Sequence, residues 1–178
     1  MTGIAGAFAI RRCTATDAPV VASLGARLFT ETYGPTHPEP ELSRYLARSF
    51  SVEGVREAIC DDDVSMYLVQ DSLGVPLAYA YLRTTPEAPA GVDGVNPFEI
   101  VRFYVDAACQ GRGVGAALME ICLTDAKERG ADLVWLQVWK EAPWAVGFYH
   151  RMGFSVVGRA PFLFGGRVDD DHIMSSPL

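Results

Sequence analysis

Between Cys109 and Arg129 the chain reads Cys-Gln-Gly-Arg-Gly-Val-Gly-Ala-Ala-Leu-Met-Glu-Ile-Cys-Leu-Thr-Asp-Ala-Lys-Glu-Arg, three glycines and an arginine followed by an uninterrupted amphipathic run. Glycines at this spacing let successive backbone N–H groups turn toward one point. A helix beginning there adds its own unpaired N–H groups and a partial positive charge. The chemistry such a loop supports is anion binding, in the first place of a phosphate.

The flanking residues decide which elements hold the loop. Upstream, Pro97 to Val105 reads Pro-Phe-Glu-Ile-Val-Arg-Phe-Tyr-Val, whose β-branched and aromatic content predicts a strand. Downstream, Val114, Leu118, Ile121 and Cys122 recur at helical spacing, with Glu120, Asp125 and Glu128 on the other side. Lys127 and Arg129 sit in the last turn and Gly130 stops it. The unit is strand, glycine loop, helix. A Walker loop is excluded, because no Lys-Ser or Lys-Thr follows the glycines. Gly111, Gly113 and Ala116 do fit the dinucleotide pattern G-x-G-x-x-[GA], a weak signal alone. That pattern wants an acidic residue closing the next strand, whereas Asp132 opens it, and too little chain follows for a dinucleotide domain. A third pattern, Gln-x-x-Gly-x-Gly, is filled by Gln110, Gly113 and Gly115.

Glu99-Ile-Val-Arg-Phe-Tyr-Val105, then Gln110-Gly-Arg-Gly-Val-Gly115, then Gly147-Phe-Tyr-His-Arg-Met-Gly-Phe154 together resemble the GNAT superfamily of acetyl-CoA-dependent N-acetyltransferases. Phe29-Thr-Glu-Thr-Tyr33 and the stretch from Phe162 to Met174 are similar to its bacterial polyamine (spermidine/spermine) branch. The resemblance implies one α/β domain over residues 1–178. Its mixed central sheet would have about seven strands, splayed at the strand before the glycine loop, with helices on both faces. It implies acetyl-CoA as cosubstrate, no metal, a small amine as partner and a homodimer as an allowed assembly.

Acetyl transfer from a thioester requires a neutral amine, and freeing an alkylamine of its proton at pH 7 costs about 4 to 5 kcal/mol. A base is useful there, and a proton donor helps the departing thiolate. By resemblance Glu99, eleven residues before Gln110, takes the position of a catalytic glutamate, and Tyr149 that of the acid. A tyrosine pKa near ~10 keeps it protonated at neutral pH. The alternative for Glu99 is an ordinary ion pair, and for Tyr149 core packing. The loop residues Gln110, Gly111, Arg112, Gly113, Val114, Gly115 and Ala116 are expected to hold the pyrophosphate. Phe103, Tyr104 and Val105 are expected to offer backbone groups to the pantetheine arm, in the manner of an added strand. Glu31 and Tyr33 are the expected substrate contacts. One departure stands out: Ala142 occupies a position where many relatives carry Asn, with Trp139 and Trp144 nearby as aromatic cover.

Composition bounds the partners. The 15 basic and 22 acidic residues give a formal charge of −7, which argues against nucleic acid and suits a cationic small molecule. Asp169-Asp170-Asp171 and Asp61 to Asp63 read as either polycation contacts or solvated turns. Cys13, Cys60, Cys109 and Cys122 form no C-x-x-C pair, so free buried thiols in a cytoplasmic protein are expected, with Cys109 the accessible one. His37, His150 and His172 have no metal-ligand spacing. Met1 to Ile10 lacks the basic lead-in of a signal peptide, and no apolar run is long enough to span a membrane.

In chain order the pattern predicts a strand at Phe8 to Cys13 and a helix capped by Thr16, with Val20, Val21, Leu24 and Leu28 inward, ending at Tyr33. Helical pieces follow at Pro40 to Phe50 and Val52 to Ala58. A hairpin joins Met66–Gln70 to Pro76–Thr84, with Leu77, Tyr79 and Tyr81 on one face. Thr85 to Asn96 is a loop. Beyond the glycine helix come a strand at Leu133 to Val138, a helix at Pro143 to Arg151, and a hairpin of Phe154–Gly158 with Val168–Met174. The functional reading is an N-acetyltransferase for a primary amine, a polyamine by preference. A protein or peptide amine or an aminoglycoside is an alternative acceptor, and an acyl-CoA-binding regulatory protein the alternative class.

Overall fold

The computed structural model describes residues 8–85, 87–164 and 167–178. The start of the Met1–Ile10 lead, Pro86 in the expected loop and Gly165–Gly166 within the final hairpin lie outside the described residues.

The elements run β1 (Phe8–Arg12), α1 (Ala18–Tyr33), α2 (Glu41–Ser49), α3 (Val52–Cys60), β2 (Val64–Asp71), β3 (Pro76–Thr84) and β4 (Pro97–Val105). They continue with α4 (Val114–Glu128), β5 (Leu133–Trp139), α5 (Pro143–Arg151), β6 (Ser155–Phe164) and β7 (Arg167–Pro177). The seven strands form one mixed sheet in the order β1-β2-β3-β4-β5-β7-β6, flanked by helices. β4 and β5 are parallel, whereas β5 with β7 and β6 with β7 are antiparallel.

The contacts divide the chain into two compact units. The first holds the chain up to Tyr81 together with Arg102–Leu118, and the second holds Leu82–Val101 and Met119–Leu178. In the first, α1 turns Val21, Leu24, Leu28 and Phe29 inward, while Val20 is 39% exposed. The expectation for Val20 is thus corrected: Val21, Leu24 and Leu28 share the buried stripe at spacings of three and four, and Val20 lies off it. Thr16 is not the cap either. A 3-10 turn at Ala15–Asp17 precedes α1, and Asp17 Oδ2 accepts from the Thr14 N–H and hydroxyl at 2.7 and 3.0 Å. Ser51 caps α3 by accepting from the Gly54 N–H. The turn between β2 and β3 closes on Asp71, whose Oδ1 accepts from the Leu73 and Val75 N–H groups, with Gly74 at φ +81°.

In the second unit, the β4–β5 ladder runs from Pro97↔Leu133 to Ile100↔Leu136, although β4 continues to Val105 and β5 to Trp139. β6 and β7 are longer than expected. Pro161 and the aspartate run disguise them, yet Pro161 pairs with Asp170 on the edge strand, where a missing N–H costs no ladder bond. Val92, Leu133, Trp135 and Ile173 pack as a buried cluster with Ala88 and Ala160 against it, so the loop after β3 covers apolar surface.

Candidate active site

The glycine loop begins where β4 ends. Asp106 follows the strand, and its carboxylate accepts from the Ala108 N–H at 2.9 Å and from Arg27 Nη2 at 2.7 Å. These bonds hold the Asp106 carboxyl below the usual carboxylate range, the backbone N–H first and the guanidinium second. Arg27 Nη1 also donates to Glu31 Oε1 at 3.0 Å, so one arginine on α1 ties Glu31 to the entry of the loop. A 3-10 turn at Ala107–Cys109 then delivers Gln110.

Gly111 and Gly113 both take left-handed backbone conformations, φ +75° and +80°, and a Cβ at either would meet nothing within 4 Å. Space is therefore not what demands glycine there; the backbone conformation is. Gln110, Gly111, Arg112 and Gly113 are exposed, and Val114 anchors the helix start in the core at 2% exposure. The Ala117 N–H takes the Gly113 carbonyl, which leaves the preceding first-turn N–H groups of α4 without an intrahelical acceptor. An exposed cradle of N–H donors with a helix end behind it fits a pyrophosphate, and the Arg112 guanidinium adds a charged partner.

In the second unit Glu99 lies opposite Trp135 in the β4–β5 register. Its carboxylate accepts from Arg83 Nε at 2.7 Å and from Thr85 Oγ1 at 3.5 Å, with the side chain only 12% exposed. The ion pair considered for Glu99 is therefore present. Tyr149 on α5 is buried, its ring edge-on to Phe148 at 5.4 Å and Phe154 at 5.9 Å. His150 is exposed and its Nδ1 pairs with the Phe154 carbonyl. Ala142, 3% exposed, opens α5 with no side-chain cap; its carbonyl accepts from the Ala145 and Val146 N–H groups.

A model of the Acetyltransferase (GNAT) family matches residues 26–154. The chain belongs to that family. It is 23% identical over 162 residues to an uncharacterized N-acetyltransferase of Lactobacillus delbrueckii subsp. lactis, covering 91% of this chain and 92% of that one. It is 26% identical over 163 residues to an uncharacterized N-acetyltransferase of Mycobacterium tuberculosis, covering 92% and 99%. Among solved structures, the PaiA N-acetyltransferase of Thermoplasma acidophilum in complex with coenzyme A superposes with a TM-score of 0.76. That match has 17% identity and covers 96% of this chain and 99% of that chain.

The acetyltransferase thus carries Glu31, Tyr33, Phe103–Val105 and Gln110–Ala116 in its first unit, and Glu99 with Tyr149 in its second. Several expectations are corrected. Asp169 and Asp171 are buried at 8% and 5% exposure, not solvated, because alternate residues of β7 turn the same way; Asp170, facing the other way, pairs with Lys140 at 3.1 Å. Asp61 and Asp63 serve a local turn. Cys109 is buried and Cys60 exposed, the reverse of what was expected. Asp132 spends its carboxylate on the Val95 and Asn96 N–H groups, which removes the last support for a dinucleotide site. Among the described residues no group of three potential ligands could hold a metal, and no helix is long and apolar enough to cross a membrane. Sequence reasoning missed Arg83 and Arg27. Each lies far along the chain from its carboxylate, so no local spacing announces the pair.

Proposed function

We propose that the chain moves the acetyl group of acetyl-CoA to the primary amine of a small acceptor by direct attack. The amine nitrogen bonds to the thioester carbonyl carbon and the C–S bond breaks. The proton lost by the amine goes to Glu99, directly or through a water, and the departing thiolate takes one from the Tyr149 hydroxyl. Gln110 to Ala116 bind the pyrophosphate and Phe103 to Val105 the pantetheine amides. A cytoplasmic setting is part of the proposal.

The observation that carries this reading is the pair of left-handed glycines, Gly111 and Gly113, opening α4 in exposed positions. The chain's net charge of −7 supports an acceptor that carries an ammonium group, a condition that a polyamine and an amino-acid amine both meet.

The test is thiol release from acetyl-CoA with a panel of amines, beside a CoA titration. CoA binding with amine-dependent release supports the proposal. Binding without release from any amine points instead to a regulatory acyl-CoA binder, and absence of CoA binding overturns the reading. Replacement of Tyr149 by Phe should lower kcat by about 100-fold if the hydroxyl supplies the proton; unchanged turnover would remove it from the mechanism.

A further inference from the structure

Arg102 sits in β4 directly before the expected cofactor residues, and none of the site readings above uses its side chain. Its guanidinium lies over the Phe50 ring at 4.5 Å and the Tyr81 ring at 5.8 Å. Aromatic faces hold a guanidinium flat and leave its in-plane N–H donors pointing outward from the stack. Among the described residues no carboxylate pairs with Arg102. Arg48, Arg112 and Arg151 also make no ion pair among the described residues, but they are exposed, where water satisfies them; Arg102 is partly buried. In a chain with 22 acidic and 15 basic residues, a partly buried cation without a carboxylate is out of keeping.

Hydroxyl donors gather beside it. Tyr79 is 1% exposed; the Arg102 guanidinium lies within hydrogen-bonding reach of its hydroxyl, whose own proton has no acceptor. The Tyr79 and Tyr104 rings lie 5.7 Å apart. Tyr104 in turn feels Tyr79, Tyr33, Tyr45 and Arg102. Burial raises the Tyr79 and Tyr104 hydroxyls above the usual tyrosine range, so both stay protonated donors. Gly25 on α1 makes the approach possible, since a Cβ there would come within 2.6 Å of the Tyr79 hydroxyl. The cluster belongs to the unit that carries Tyr33, an expected acceptor contact.

We propose that Arg102, with the Tyr79 and Tyr104 hydroxyls, forms a subsite for a carboxylate carried by the acceptor, so that the substrate is an amine of amino-acid or peptide type and not a polyamine. A carboxylate presents two oxygens in a plane, which the guanidinium fork matches bidentately, and the tyrosine O–H groups supply further donors. A second ammonium in the same place would meet a like charge and no acceptor it could use without turning the tyrosines.

The inference rests on the acetyltransferase reading, and two measurements separate the two. The first compares thiol release for amino acids and peptides with their carboxamides, and with spermidine. The carboxylate form should be favoured by about 10- to 100-fold in kcat/KM, the size of one charge-assisted contact. Arg102→Met should bring that ratio close to one, mainly through KM, with CoA affinity retained. Arg102→Lys should restore part of it, and Tyr79→Phe, which removes only the hydroxyl, should lower it. The second measurement needs no turnover: N-acetylated amino acids are titrated against the CoA-loaded protein. They should raise the melting temperature of the wild-type protein and not of the Arg102→Met variant. An unchanged carboxylate-to-carboxamide ratio in Arg102→Met, preference for spermidine, or equal stabilisation of both proteins would overturn the subsite. Loss of CoA binding in the wild-type protein would overturn the acetyltransferase reading instead.

Discussion

Glu99 is an ion-pair partner in the structure and a base only in the mechanism proposed for it. Its contact with Arg83 Nε at 2.7 Å orients it, but the same bond occupies lone pairs that a base would use. Arg83 is nearly half exposed, so the pair itself contributes at most about 1 kcal/mol to stability. We expect Glu99→Gln to lower kcat by about 100-fold and Arg83→Met to lower it less, with both variants close to wild type in thermal stability. Steady-state kinetics beside melting curves decide it, and equal small losses of turnover in both variants would reduce Glu99 to an ion-pair partner. Two other carboxylates act on stability with opposite signs. Asp17 accepts from both Arg11 nitrogens and from Thr14, and the Arg11 bonds, above all, hold its carboxyl far below the usual range. Its contribution is fully present above the unfolded carboxylate pKa of about 4 and is lost as pH falls toward the folded value. Burial, foremost, and the charges of Asp169 and Asp170 push Asp171 upward, with one oxygen bonded to Gln137 and the other unpartnered. There the unfolded chain releases its proton first, so stability falls as pH rises from about 4 through the folded value. Asp17→Asn should therefore cost about 1–2 kcal/mol at pH 7 and less below pH 4. Asp171→Asn should gain about 1 kcal/mol at pH 7 and little at pH 4. Denaturant midpoints at the two pH values check both signs.

At the scale of elements, two glycines in helices make a contrast. Gly25 in α1 faces the Tyr79 hydroxyl and the Phe50 ring, which a Cβ would approach to 2.6 and 2.7 Å. Gly147 in α5 would bring a Cβ no closer than 3.5 Å to the end of Arg151. Alanine gains about 1 kcal/mol of helix propensity at either position. Overpacking a locked aromatic pair costs about 1–3 kcal/mol, so it outweighs that gain at Gly25 alone. Gly25→Ala should destabilise and Gly147→Ala stabilise, read as opposite shifts of the melting temperature. Nothing in the sequence marks Gly25 as the special one, because its neighbours come from β3 and the residue after α2. The elements themselves were far more legible. The strand, glycine loop and helix from Pro97 to Glu128 follow from β-branched content, the glycine spacing and a 3.6-residue period, all local signals. β6 and β7 were foreshortened because edge position, which excuses Pro161, is a property of the sheet. Burial of Asp169 and Asp171 was hidden for the same kind of reason: alternation is visible in a strand, but which side faces the core is set by β5 and the loop after β3. The roles proposed for Glu99 and Tyr149 come by resemblance, and the Arg83 partner of Glu99 came only with the fold.

For the whole molecule, the way the chain threads its two units bears on whether residues 1–178 fold as one domain, which we propose. The chain passes between units inside continuous elements: at Tyr81–Leu82 within β3, at Val101–Arg102 within β4, and at Leu118–Met119 within α4. Linkers that allow independent folding are exposed and lie between elements. Here, melting one unit alone would require fraying two strands and a helix in their middles, which breaks hydrogen bonds with no compensating gain in the part left folded. Tryptophan fluorescence reports on the second unit and helical ellipticity mainly on the first, since α5 and the greater part of α4 also belong to the second. Trp135, Trp139 and Trp144 are the chain's three tryptophans and all belong to the second unit, whereas α1, α2 and α3 belong wholly to the first. Tryptophan fluorescence and helical ellipticity, followed through the same urea titration, should therefore share one midpoint and one slope. CoA, whose expected ligands lie in the first unit, should shift both signals together, since a ligand bound to one part of a cooperative body stabilises all of it. Separate midpoints, or a CoA shift confined to the ellipticity, would show two bodies that fold independently and would make the division at Tyr81, Val101 and Leu118 a true domain boundary.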